Sequence, residues 1–223
     1  MAKWVTGERA WTVVGLGIPN FDSGFRRIQK GTLGLFSPWF FELSQRPYRR
    51  NQLRRSLFIE LEDLKEKLVA GTYALSAHLA KIDREFFSWF ESNLSESSPY
   101  KAELRKLLDL KDGQLEQFLQ SRQPANNPMT LKKHSAPFLT ANLGGLSLFS
   151  PEFQRLAVTV VGKLTMLHEE VDQNRFFFAN TFDGGTPQNR QILHSNMQNS
   201  YAFIIRLCRT IVGDINALLV LKK

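Results

Sequence analysis

Phe182-Asp183-Gly184-Gly185-Thr186-Pro187 is the stretch whose reading decides the fold. Two adjacent glycines stop a helix, and Thr-Pro starts the next. A threonine oxygen accepts from the free N–H groups of a first turn, and proline fits the first helical position, where its missing N–H is no loss. Upstream, Ser150-Pro151-Glu152 repeats that start and adds a carboxylate near the positive helix end. Between the two starts, Phe153, Leu156, Val160, Leu164, Leu167 and Val171 recur at helical spacing, so a helix is expected through Phe178 to about Phe182. Beyond the turn, Leu193, Met197, Tyr201, Ile204, Ile205, Cys208, Ile211, Ile215 and Leu218 form a second stripe. The expectation is a long antiparallel helical hairpin within Pro137–Lys223, preceded by the short piece Phe138–Asn142 and a turn at Gly144-Gly145.

Working outward, the rest of the chain reads as material packed on that hairpin. From Asn51 to Asn93, Leu57, Leu61, Leu64, Leu68, Leu75, Leu79, Ile82, Phe86 and Phe90 make one stripe, and a single long helix is expected. Glu60, Glu62, Asp63, Lys65, Glu66, Lys67, Lys81, Asp83, Arg84 and Glu85 mark its solvent side. Gly71 interrupts the stripe, which implies a bend or the close approach of a neighbouring helix. Ser98-Pro99 opens the next helix, and Tyr100–Leu110 and Gln114–Gln120 read as two short helices. Residues 121–137 contain three prolines and read as a polar connector between the two halves.

The expected fold class is therefore all-α: a helical bundle over 46–223, one domain, with an irregular aromatic and basic arm over 1–45. A chain of 223 residues with 43% hydrophobic and 22% charged residues can bury a core without staples. The one cysteine, Cys208, excludes an intramolecular disulfide and a thiolate metal cluster, and it reads as a small buried hydrophobe in a reducing setting. No apolar run reaches eighteen residues, and Trp11–Ile18 is short and closed by Pro19 without a signal-type cleavage site, so a cytoplasmic location is expected.

Charge is placed unevenly. Residues 1–55 hold ten Lys/Arg against three Asp/Glu, whereas the remainder holds nineteen against eighteen. The arm carries the basicity, which points to an anionic partner. Within it, Leu33–Phe41 brings Trp39 and Phe40, and Arg46-Pro47-Tyr48-Arg49-Arg50-Asn51-Gln52-Leu53-Arg54-Arg55 follows. Rings beside arginines suit a lipid headgroup layer, so Trp39, Phe40, Arg46, Arg49, Arg50, Arg54 and Arg55 form a candidate anionic-surface site and imply peripheral membrane association. The same residues suit nucleic acid, or simply plug the bundle and solvate a helix start. Val13-Val14-Gly15-Leu16-Gly17 begins a dinucleotide fingerprint, but Asn20 stands where the third glycine belongs, so an extended turn is the better reading.

The segment Ala136–Glu152, followed by the helix from Phe153, resembles a stretch of uncharacterised bacterial all-helical proteins, many of them membrane-anchored at the N-terminus. The similarity covers Arg50–Leu94 and Ala136–Val171 and implies a helical bundle, with no functional residues to carry over. A second resemblance concerns Gln188–Asn196. Its Arg190 and His194 are similar to the arginine and histidine of HEPN-type helical ribonucleases, although that motif spaces the pair more widely than the three residues Gln191 to Leu193. It implies metal-independent action on an RNA backbone.

Taken as residues, Arg190 and His194 stand four apart on one helical face, where they can orient a phosphate and transfer a proton near neutral pH. Arg175 and Asn174 are expected opposite them across the turn, adding positive charge. No metal site is expected, since no histidine follows a glutamate by three positions and the His168-Glu169-Glu170-Val171-Asp172 run puts Asp172 where a zinc-protease helix needs histidine. His168 reads as a helix residue beside an acidic, solvated patch.

The expected function is a non-enzymatic interaction or regulatory protein without cofactor, docking on an anionic membrane surface through its arm and pairing with a protein partner or a second copy. The alternative is a HEPN-like ribonuclease or RNA-binding protein using Arg190 and His194.

Overall fold

The computed structural model describes residues 29–120, 129, 131–182 and 185–221, and side chains within these except those of 29–47, 49, 112 and 120. Seven α-helices follow in order among the described residues: α1 (Gln29–His78), α2 (Arg84–Asn93), α3 (Pro99–Leu108), α4 (Asp112–Gln120), α5 (Pro137–Ala141), α6 (Pro151–Asn180) and α7 (Pro187–Val220). A 3-10 turn over Leu143–Leu148 joins α5 to α6. The described residues contain no strand, and the fold is all-α. The chain divides into two compact units, 1–48 and 49–223.

The hairpin stands at its centre, with α6 and α7 running against each other. Both starts form as read. Ser150 accepts from Phe153 N at 3.3 Å and Thr186 from Asn189 N at 3.2 Å, each ahead of its proline. Phe153, Ala157, Val160, Leu164, Leu167 and Val171 of α6 meet Met197, Tyr201, Ile204, Cys208, Ile211, Ile215 and Leu218 of α7 in one core with Leu57, Leu61, Leu64 and Leu68 of α1. Burying one such aliphatic side chain contributes about 1.5–3 kcal/mol, so this shared stripe dominates the bundle's stability.

Three expectations are corrected. The helix expected over Asn51–Asn93 is two. It ends at His78 because Ala80 turns left-handed, with φ 52°. Lys81 N then donates to Ser76 O at 2.9 Å and Ala80 N to Ala77 O at 3.1 Å, the paired closure of a Schellman cap. Asp83 opens α2 by accepting from Phe86 N at 2.7 Å. Glycine is the usual residue at that left-handed position, and alanine there gives no stop signal.

Second, α1 begins at Gln29, so residues 29–45 of the arm are helical rather than irregular. Pro38 and Pro47 stand inside it, each withholding an N–H from the ladder. The Val13–Gly17 run and the rest of 1–28 lie outside the described residues.

Third, two residues assigned to the solvent side hold the fold together. Glu60 accepts from Phe138 N at 2.8 Å and Leu139 N at 2.7 Å, satisfying the free donors that open α5. Arg84 donates to the carbonyls of Leu108 and Leu110 where α3 ends. Gly71 lies inside α1 with open space where a Cβ would stand, so no neighbouring backbone crowds it.

Candidate functional site

The α1–α2 corner lies beside the turn end of the hairpin, and an open cavity of about 650 Å³ lies between them. The Schellman cap puts His78 and Lys81 on one wall. The first turns of α7 bring Arg190, His194 and Gln198 to the other, and Phe178, Thr181 and Phe182 come from the end of α6. Four basic or imidazole side chains converge, and among the described residues no carboxylate lines the cavity. Arg190, His194 and Lys81 are exposed, and His78 is half-buried.

Tyr201 forms the floor. It is 1% exposed, its O–H donates to Met129 O at 3.3 Å, and burial pushes its phenol up from the ordinary range. His78 stands edge-on to that ring, centroids 5.4 Å apart. His194 Nε2 pairs with Gln198 Nε2 at 3.0 Å on the next turn. Among the described residues, the side chains of Arg190 and Lys81 have no hydrogen-bond or ion-pair partner. Cations left unpaired beside open space favour an anion there.

Tyr201 lies seven residues along α7 from His194, about 10 Å of rise. His78 packs on Tyr201, and both imidazoles line the same cavity.

A second cavity of about 320 Å³ shares Lys81 and Ala202 with the first. It adds Arg206 and Arg209, together with Asp83 and Glu85. Those two carboxylates are engaged, Asp83 in capping α2 and Glu85 with Arg209 at 3.3 Å. From Arg190 of the first cavity to Arg206 of the second, α7 rises about 24 Å.

Arg190 and His194 are therefore brought together as the spacing implied. Arg175 is not with them. Its guanidinium donates to Leu131 O at 2.7 Å and lies 3.9 Å from Asp172, on the flank where the 131–134 segment meets α6. Asn174 does face α7, but it is buried and donates to Met197 O at 3.3 Å, adding no charge. His168 lies on α6, where a ring nitrogen meets His134 O at 2.8 Å.

The arginines of the basic run fall elsewhere. Arg54 donates to Leu221 O at 3.2 Å, past the far end of α7, and its guanidinium lies 5.7 Å from the Phe58 ring centre. Arg50 and Arg55 are exposed. Trp39, Phe40, Arg46 and Arg49 fall on α1, and their side chains lie outside the described residues. Arg190 and Leu221 are separated by about 46 Å of helix, so Arg54 and the Arg190 cavity do not converge.

His78, Lys81 and Phe182 escaped the sequence reading. The only local signal for the first two was Asp83, a good helix opener, which implied a corner just before it. Phe182 gave no signal beyond ending a stripe.

Among the described residues, no group of three or more His, Cys, Asp or Glu is placed to hold a metal ion. No described helix is long and apolar enough to cross a membrane. Cys208 is buried, and burial, only partly countered by a hydrogen bond with Thr72, pushes its thiol up to about 12. A thiol held so far above neutral pH stays protonated and unreactive.

In comparisons with known proteins, no protein-family model matches the chain, and no curated protein or solved structure matches it significantly.

Proposed function

We propose that the protein is a non-enzymatic nucleic-acid-binding module that holds a phosphate backbone along the groove of α7. One observation carries this reading: His78, Lys81, Arg190 and His194 meet in one open cavity whose described lining has no carboxylate. Arginine and lysine supply the phosphate contacts. The expectation of a basic interaction protein is kept, with the binding surface at the hairpin turn instead of the arm.

The test is a titration of a dye-labelled 15-residue RNA at two salt concentrations. Wild-type affinity falls steeply with salt, and a Lys81→Glu/Arg190→Glu variant loses at least about tenfold, with a shallower salt slope. Equal binding by that variant sinks the reading. Anionic vesicles in the same assay address membrane docking: lipid binding lost on Arg50→Glu/Arg55→Glu, with RNA binding weak throughout, would place the function in the basic run.

RNA cleavage at Arg190 and His194 is the second reading, favoured by their shared cavity. It requires degradation that persists in chelator and disappears in His194→Ala, which the RNA recovered from each titration reports directly.

A further inference from the structure

The mouth of the cavity carries an open aromatic ring. Phe182 follows the last turn of α6, where Thr181 Oγ1 donates to Phe178 O at 2.7 Å and Phe182 N to Ala179 O at 3.2 Å. Those bonds fix the backbone on which the ring stands. Its ring meets Phe178 edge-to-face, centroids 5.1 Å apart at 90°. With 71% of the residue still exposed, a face of the ring remains bare to water.

A single exposed apolar residue at a helix end is ordinary and by itself says nothing. The neighbours separate this one from that case. Phe182 lines the same cavity as Arg190, His194 and Lys81, so a bare ring face and cations without a partner among the described residues open onto one space. A flat apolar surface beside phosphate-binding side chains matches an unpaired nucleotide, whose base stacks while its phosphate is held. Paired bases keep their faces against their neighbours and offer a protruding ring nothing to stack on.

We infer that the cavity selects single-stranded nucleic acid, seating an unpaired base on Phe182 while Arg190 and Lys81 hold the adjoining phosphates. The inference rests on the nucleic-acid reading above and adds the state of the strand and the seat of the base. Phe182 acts through stacking area, so it is tolerant of base identity, and selection falls on strand state rather than sequence.

The experiment compares wild type, Phe182→Ala and Phe182→Trp against three probes: a 12-residue single-stranded RNA, the same sequence as a duplex, and inorganic polyphosphate of similar charge. Phe182→Ala is expected to weaken single-strand binding by about tenfold, within the range for losing one base–aromatic stack. Polyphosphate binding stays unchanged, and Phe182→Trp restores single-strand affinity with quenching of the new indole. Thermal melts of both variants matching wild type exclude misfolding as the cause. Unaltered single-strand affinity in Phe182→Ala overturns the inference, as does a duplex bound as tightly as the single strand. In both cases salt-dependent RNA binding by wild type leaves the nucleic-acid reading standing. Failure of wild type to bind any RNA probe overturns both.

Discussion

The two ends of the α6/α7 hairpin are made of similar helix and are finished in opposite ways. At the far end, Ile211, Val212, Ile215 and Leu218 are 0% exposed, and the polar side chains around them are engaged within the fold. Lys163 meets Asp214 at 2.6 Å, Asn216 donates to Asn93 Oδ1 at 2.7 Å, and Arg54 reaches Leu221 O. At the turn end, Phe176, Phe182 and Ile192 stay exposed, and Arg190 and Lys81 have no partner among the described residues. A polar group satisfied inside the fold serves structure. Cations left beside bare rings and open space are placed for something outside the chain.

The contrast breaks most visibly in the core. Ile215→Ala is expected to lower unfolding free energy by about 2–5 kcal/mol, because its cavity cannot collapse inside a tightly packed helix pair. Ile192→Ala, one residue type at the other end, should change it by no more than about 0.5 kcal/mol. Urea denaturation of both variants reads the difference, and equal losses would mean the turn end is packed after all.

A smaller effect sharpens the account of the corner that forms the groove wall. Ala80 at φ 52° carries the cost of a left-handed alanine, about 1–2 kcal/mol. Ala80→Gly removes that cost but gives the unfolded chain more freedom, by about 0.4–1 kcal/mol. A net gain of about 0.5 kcal/mol should show as a higher midpoint in thermal melts, with RNA affinity kept because Lys81 stays in place. A lower midpoint would contradict this closure of α1.

The smallest effect lies on the flank between the two ends. Burial first, then the charges of Lys67, His168 and Lys132, hold the His134 imidazole below its ordinary range, with Asp63 opposing. The folded state thus favours the neutral ring and the unfolded chain takes up the proton first. The stability this provides is fully present above the ordinary histidine range near 6.5, and it is lost as pH falls through that value toward the lowered one. His134→Asn should therefore flatten the rise of stability between about pH 5.5 and 7.5, measured by urea denaturation at each pH. An unchanged slope assigns that rise to other groups.

Much of the hairpin was legible because its signals are local. Ser150-Pro151 and Thr186-Pro187 each satisfy their own first turn, and period alone places Val160, Leu164, Ile211 and Ile215 on one face. The α1–α2 corner was not legible. Leu75, Leu79, Ile82 and Phe86 keep a helical step across it, and alanine at the left-handed position gives no warning. The pairing of Arg190 with His194 was readable from their four-residue spacing. Their meeting with His78, Lys81 and Phe182 was not, because His78 ends α1, Lys81 lies in the corner after it and Phe182 follows α6, and no spacing in the chain relates them to α7.

By itself the sequence determined the helical class, the two proline starts, the hydrophobic stripes and the uneven placement of charge, since each follows from a residue and its near neighbours. Only the tertiary structure decided which charged groups are engaged and which remain open. Glu60, Arg54, Arg84 and Arg175 look as solvated in the sequence as Arg190 and Lys81 do. They differ because distant backbone carbonyls and N–H groups come within reach of the first four and, among the described residues, not of the last two. A hydrogen bond across scores of residues depends on the packing of whole helices, and no local pattern encodes it.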